Sequence, residues 1–379
     1  AIGAKSVVFA TGGYGQVYLI STNGLINTGD GLAMAYRAGA PLMDLEFVQF
    51  HPTTLKETGI LITEGARGEG GYLFNARGER FMERYAPKMM ELASRDVVSR
   101  AEYQEILEGR GVEGCVLLDL RHLGKEKIME RLPQIHELSI TYAGVDPIEA
   151  PIPITPGVHY SMGGIETNNW GETPLPGLFA AGECACVSVH GANRLGANAL
   201  LETIVFGKRT GERASERAAR EPRYELSSRH FEAGRDRADR LLSRKEGERS
   251  GKLKEEIGTV MAEHFGIIRE KRRMDEGRKK LALIRSRISD LFVEDKGRVF
   301  NLDLINALQL ESVLTLAEGV AAAADAREES RGAHARSDYP QRDDANWLKH
   351  TQIWMGEAGP RLSYKPVTIT RFQPAERKY

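Results

Sequence analysis

Between Lys5 and Gly13 the chain runs Lys-Ser-Val-Val-Phe-Ala-Thr-Gly-Gly, a short apolar run closed by paired glycines. This pattern predicts a buried parallel strand entering a turn. Thr28-Gly29-Asp30-Gly31 precedes an apolar series ending at Gly39, which predicts a helix with Asp30 as N-cap and Gly39 as its stop. Ile60 to Glu64 reads as a strand entering a glycine-rich loop, and Tyr72-Leu73-Phe74 as the strand that leaves it. Ser94 stands at the start of a helix whose apolar face carries Val97, Val98 and Ala101. Val116 to Leu120 predicts a strand and Lys125 to Leu132 a helix. Two stripes, Leu281, Ile284, Ile288, Leu291, Phe292 and Leu304, Ile305, Leu308, Ser312, Leu316, recur at helical spacing and predict a bundle. Tyr364 to Ile369 predicts a short final strand.

The order strand, glycine turn, acidic residue occurs first around Gly12, Gly13 and Asp30 and returns in Pro176-Gly177-Leu178-Phe179-Ala180-Ala181-Gly182-Glu183. Between them, the Pro-rich passage Pro147 to Pro156 reads as an extended crossing between domains. One doubly wound domain is therefore interrupted by another. The expected class is α/β, α+β overall. A partial Rossmann-like domain covers 1–46 and resumes over 157–207, an α+β capping domain covers 47–156, a helical domain 208–330 and a short C-terminal domain 331–379. The 379 residues are too many for one ordinary core. Because Ala1 leads almost directly into a strand, the expectation is that the chain begins inside a fold whose earlier strands are absent.

Apolar residues at 41%, charged residues at 28% and a net charge of -1 describe a soluble globular protein without the basicity that nucleic acid demands. Cys115, Cys184 and Cys186 make no disulfide framework, and Cys184-Ala185-Cys186 without clustered His is a poor zinc signal, so no metal site is expected. A reducing compartment fits. No apolar run approaches the roughly 20 residues of a membrane helix and no signal peptide opens the chain, so membrane contact is expected only through partners.

Candidate chemistry concentrates in two glycine-flanked segments. Ser188 to Glu202 sets the guanidinium of Arg194 among glycines and amides, with an apolar run starting a helix at Ala199, an arrangement suited to an anion. His159-Tyr160-Ser161-Met162-Gly163-Gly164 offers paired glycines that would let backbone approach a bound molecule. Asp30 is either a helix cap or a nucleotide contact. Glu64, Arg67 and Glu69 are either a solvated ion-pair cluster or part of a site, and the surrounding glycines favour the second. Arg95 opposes the dipole of the helix it begins, a cost that exposed arginines tolerate and that a nearby anionic ligand would remove.

In this order the segments resemble the flavoprotein subunit of succinate dehydrogenase and fumarate reductase. The likeness runs from end to end through Ala10-Thr11-Gly12-Gly13, Thr28-Gly29-Asp30-Gly31, Phe50-His51-Pro52-Thr53, Thr63 to Gly71, Arg80-Phe81-Met82, Ser94-Arg95-Asp96-Val97-Val98, His159 to Ile165, Gly182-Glu183, His190 to Gly196 and Glu329-Ser330-Arg331-Gly332-Ala333-His334. It implies an enzyme that oxidises succinate to fumarate with FAD and passes electrons to an iron–sulfur subunit and a quinone. Such an enzyme would sit peripherally on the cytoplasmic side of a membrane, or at the mitochondrial inner membrane, through anchor subunits. It implies that Arg194 and His159 bind one carboxylate, that His51 and Thr63 lie near the other, and that Arg95 transfers the proton with Glu64 and Arg67 as its relay. FAD contacts are implied for Asp30, Glu183, Ala199 and Leu200, with Ala199 replacing a serine found in many relatives. The resemblance implies that the family's first βαβ unit, with its Gly-x-Gly-x-x-Gly pyrophosphate turn and its FAD-linking histidine, precedes the point where this sequence starts. Fumarate reduction, L-aspartate oxidase activity and a catalytically silent fragment are the alternatives.

Overall fold

The computed structural model describes residues 2–222, 227–357 and 359–375. Two compact units emerge. The first draws on residues up to Leu19, then Asn23–Val48 and Tyr160–Val367; the second on Ile20–Thr22, Gln49–His159 and the segment from Thr368.

In the first unit Val7–Phe9 pairs in parallel with Leu178–Ala180. The pairing agrees with the sequence pattern but the burial does not: Val7 and Val8 are 42% and 43% exposed, because the described sheet has only these two strands to cover them. The helix predicted after Gly29 spans Asp30–Arg37, and Gly29, not Asp30, takes the cap position. Its φ of +76° is left-handed, and a Cβ there would come 2.0 Å from Leu316, so glycine is required. Asp30 instead occupies the first turn, where its carboxylate suits the helix dipole.

A five-stranded sheet follows the order Gly359–Pro366, Lys349–Gly356, Leu42–Met43, Gly164–Glu166, Ala185–Cys186. The last long strand starts earlier than Tyr364 and stops at Pro366, which lacks the N–H needed to continue pairing with Lys349. The paired glycines turn out to serve packing. A Cβ on Gly163 would lie 2.2 Å from the carbonyl oxygen of Asp44, and one on Gly164 2.6 Å from that of Cys184. Their close approach is to the protein's own backbone.

The two helical stripes are core only in part. Lys271–Arg287 buries Leu281 and Ile284, but the helix ends at Arg287 and Leu291–Phe292 forms a short strand. Leu302–Ala326 buries Ser312 and Leu316, yet Leu304 and Leu308 are half-buried and Ile305 is 45% exposed, because the face turned inward carries Leu310, Val313, Leu314 and Val320. The second helix is capped by Asn301, whose side chain accepts from the N–H of Leu304 at 2.8 Å. Contrary to the sequence reading, its 25 residues are long and apolar enough to cross a membrane by length and composition, yet 67% of its apolar window is buried inside the protein, as expected of a core helix. The same unit buries charge: Arg327 bonds Glu46 at 2.6 Å and Glu329 at 2.9 Å with all three side chains fully covered, an arrangement tolerable only because each charge is paired.

The second unit is built on a four-stranded sheet ordered Val48–Leu55, Ile152–Ser161, Val116–Asp119, Tyr72–Phe74. The Pro-rich passage ends not as a free crossing but inside the ten-residue strand Ile152–Ser161, with Pro153 opposite Leu117. Ile60 to Thr63 makes only a single bridge, Leu61 to Thr54. The predicted loop beyond it closes into one helical turn, Gly65–Gly68, through N–H bonds from Ala66 to Thr63 and from Arg67 and Gly68 to Glu64. Lys125–Arg131 is helical as its pattern predicts, and Leu73, Phe81, Val98, Val116, Leu118 and Ile154 share the core.

Within that core Glu105 is fully buried and accepts from Arg110 Nε and Nη2 at 2.8 Å each, from Asn75 at 2.8 Å and from Tyr85 at 2.7 Å. Burial alone would raise its carboxyl; the hydrogen bonds from Arg110, Asn75 and Tyr85 outweigh that and bring it from 4.5 down to about 2. A carboxyl depressed on folding stabilises the protein above its unfolded pKa, and that contribution disappears as pH falls from 4.5 toward 2. Glu105→Ala is therefore expected to cost about 3 kcal/mol at neutral pH, with the difference from the parent shrinking in acid. Urea unfolding at a series of pH values checks it; a loss that persists undiminished in acid would count against the charge as its origin.

Candidate active site

In the second unit the strand Val48–Leu55 places Gln49 and His51 two residues apart, hence on one face, and both are 1% exposed. The Nδ1 of His51 accepts from the N–H of Thr53 at 3.2 Å, which puts the proton of the neutral ring on Nε2. That buried nitrogen meets no acceptor among the described residues. Burial, followed by the charge of Arg95 and the proximity of His159 and Arg67, holds the imidazole well below its usual range, so His51 is a neutral donor awaiting an oxygen. The His159 ring lies edge-on at 5.1 Å, its Nδ1 2.8 Å from the hydroxyl of Thr22. Thr63 is exposed and its Oγ1 accepts from Gly65 at 3.2 Å, leaving the hydroxyl proton to donate.

Arg95, Glu64 and Arg67 come together. Arg95 gives Glu64 Oε2 two hydrogen bonds, from Nε at 2.9 Å and Nη2 at 2.7 Å, and a third to Gln49 Oε1 at 3.1 Å. The misfit of a cation in the first turn of helix Arg95–Leu107 is thus offset by a carboxylate of the protein itself. Arg67, 2% exposed, donates Nη1 to the carbonyl of Glu91 and holds Nη2 3.6 Å from Glu64 Oε1. Burial lowers its guanidinium against the opposing pull of Glu64 and Glu102. Glu69 does not join them; it pairs with Arg131 at 3.0 Å and Lys127 at 3.6 Å. Ser94 stands at the N-cap of the Arg95 helix without capping it through its side chain, and its hydroxyl donates to Asp96.

In the first unit Arg194 is 6% exposed, its guanidinium stacked 4.4 Å from the centre of the Tyr160 ring. The Tyr160 hydroxyl donates to Glu202, which also lies 2.8 Å from His190 Nε2. Burial and the Glu202 charge push the phenol up, so Tyr160 stays neutral and offers a fixed platform. Glu183 Oε1 accepts from the N–H of Ser161 at 2.9 Å and from its hydroxyl at 3.2 Å; a Cβ at Gly13 would sit 2.3 Å from that oxygen, so only glycine admits the carboxylate there. Asp30 accepts from Thr28 at 2.7 Å. The long helix Asn198–Arg220 begins after Ala197 in a left-handed conformation, with no side-chain cap and no acid in its first turn. Its opening N–H groups form a positive end beside Ala199 and Leu200, the latter 67% exposed.

This donor set suits FAD. The carboxylates of Asp30 and Glu183 have the chemistry to accept from sugar hydroxyls, and the uncapped helix start at Asn198 has N–H groups that an electron-rich oxygen could meet. The sequence pattern contains Tyr160, His190 and Glu202 within its glycine-flanked segments but assigns them no role, and it does not single out Gln49 or Glu102. The two-residue spacing of Gln49 from His51 and the seven-residue spacing of Glu102 from Arg95 were readable signals. The Tyr160–Glu202 contact, 42 residues apart, leaves none.

A family model described as an FAD binding domain matches residues 1–200, and one described as fumarate reductase flavoprotein C-term matches 254–379. The chain is 47% identical to the fumarate reductase flavoprotein subunit of Haemophilus influenzae over 100% of its own length and 66% of that protein. It is 47% identical to the succinate dehydrogenase flavoprotein subunit of Rickettsia bellii over 99% of its own length and 67% of that protein. A solved Escherichia coli quinol fumarate reductase mutant superimposes with a TM-score of 0.93 at 45% identity, covering 98% of this chain and 67% of that one. The chain thus spans about two thirds of the length of the curated relatives it matches.

Proposed function

We propose, for a chain that belongs to the family of succinate dehydrogenase and fumarate reductase flavoprotein subunits, that the complete protein oxidises succinate to fumarate. FAD, held by Asp30, Glu183 and the backbone at Ala199 and Leu200, supplies a two-electron acceptor for the hydride. Arg194 and His159 bind one substrate carboxylate. The guanidinium fork of Arg194 matches a carboxylate, and its stacking on Tyr160 restricts its rotation. His51, through Nε2–H, and Thr63, through its hydroxyl, donate to the other carboxylate. Arg95 exchanges the proton of the reacting carbon, and Glu64, with a side chain 46% exposed, connects it to solvent alongside Arg67. An iron–sulfur subunit is the electron acceptor, and membrane anchor subunits hold the assembly peripherally at the membrane.

The observation that carries this reading is the buried, neutral His51 donor with no acceptor, in the unit that also holds the Arg95–Glu64 pair. The complete protein is expected to show a flavin absorbance band that bleaches on adding succinate. Bleaching by aspartate with release of iminoaspartate would move the reading to L-aspartate oxidase, and no flavin band at all would overturn it. A second reading, fumarate reduction, is favoured by Arg95 itself: a guanidinium carries N–H donors and no acceptor, and so serves more readily as a proton donor than as a base. Fumarate reduced far faster than succinate is oxidised, with the assembled complex, would select it.

A further inference from the structure

Three residues outside the dicarboxylate chemistry meet at strand ends of the five-stranded sheet in the first unit. Asp44 directly follows Leu42–Met43, His350 is the second residue of Lys349–Gly356, and Ser188 stands two residues beyond Ala185–Cys186. Their side chains form one hydrogen-bonded line. His350 Nδ1 lies 2.6 Å from Asp44 Oδ2, and His350 Nε2 lies 3.3 Å from Ser188 Oγ. Asp44 and His350 are buried, whereas Ser188 is exposed.

The direction of the line follows from its chemistry. Asp44 is held as an acceptor: Oδ1 takes the N–H of Thr351 at 3.0 Å, and Oδ2 takes the Cys186 thiol at 3.8 Å as well as the imidazole. A carboxylate oxygen only accepts, so the ring proton of a neutral His350 sits on Nδ1. Nε2 is then a bare lone pair facing the Ser188 hydroxyl, the arrangement in which an imidazole removes a serine proton. Backbone geometry supplies a second observation. Ser188 has a φ of +70° and Asp44 a φ of +60°, left-handed conformations that strain residues bearing a Cβ. A serine on a strained turn past the end of a strand presents its oxygen outward, as a nucleophile requires.

We propose that Ser188, His350 and Asp44 form an acyl-transfer site, with Ser188 as nucleophile, His350 as general base and Asp44 as the residue that positions the imidazole, acting on a short-chain carboxylic ester. Val189, 52% exposed beside the serine, gives a short acyl chain apolar surface to rest on. Ser188 Oγ bonds to the ester carbon while its proton passes to His350 Nε2. The bond from that carbon to the alcohol oxygen breaks, and the alcohol leaves with the proton. Water then adds to the acyl-serine, giving a proton to Nε2; the bond from Oγ to carbon breaks, the serine recovers its proton and the acid departs. Ester and water become acid and alcohol, and no electrons are exchanged with any redox partner.

The complete protein incubated with p-nitrophenyl acetate tests the proposal. It is expected to release p-nitrophenol faster than buffer alone and to carry an acetyl group on Ser188, located by peptide mass spectrometry after an acid quench. Ser188→Gly is expected to slow release about ten-fold or more with an unchanged melting temperature, because glycine adopts the left-handed turn without strain. His350→Gln, which keeps an N–H for Asp44 but cannot take up a proton, is expected to slow it similarly. Release at the buffer rate by the parent, acetyl groups on lysines with none on Ser188, or a Ser188→Gly rate within about two-fold of the parent would overturn the site. A lower melting temperature in His350→Gln with undiminished hydrolysis would reduce the line to a structural tie and overturn it too.

Discussion

Arg95→Gln in the complete enzyme is expected to lower turnover by about 10³-fold, within the range that a positioned acid or base contributes, while a dicarboxylate still binds. Glutamine keeps an amide N–H donor in place of the three guanidinium bonds to Glu64 and Gln49, but it carries neither the charge nor a proton acidic enough to pass to carbon. Glu64 tolerates the lost cation because its side chain is 46% exposed and water solvates it. The measurement is turnover with succinate and fumarate beside the dissociation constant of an unreactive dicarboxylate, followed through the flavin spectrum. Retention of turnover within about ten-fold would remove Arg95 from the chemistry.

Arg194→Gln is expected to fail differently. Arg194 is buried and stacked on Tyr160, so an anion bound there has little water to fall back on. Removing its charge partner should weaken dicarboxylate binding by about 100-fold, roughly 2–3 kcal/mol. The Tyr160–Glu202 bond does not depend on the guanidinium, so the fold around it should persist. Equal and small effects of the two substitutions would show that the roles assigned to Arg95 and Arg194 are wrong.

Much of this molecule was legible along the chain. The helix Lys125–Arg131, the strand Val116–Asp119 and the two long core helices follow apolar spacings of two or of three and four residues, and such spacings report neighbours within one element. The chemical residue types were legible too, because arginine, histidine and glycine in fixed order are local facts.

What only the tertiary structure decided lies between distant residues. It brought Glu64 to Arg95 across 31 positions and so answered the cation in a first helical turn with a protein carboxylate. It spent Gly163 and Gly164 on backbone packing and moved the cap from Asp30 to Gly29. It buried Glu102 with no hydrogen-bond partner for either carboxyl oxygen among the described residues. None of these follows from periodicity, because burial, desolvation and pairing depend on which surfaces meet once the chain has folded, and one sequence records only what stands next to what.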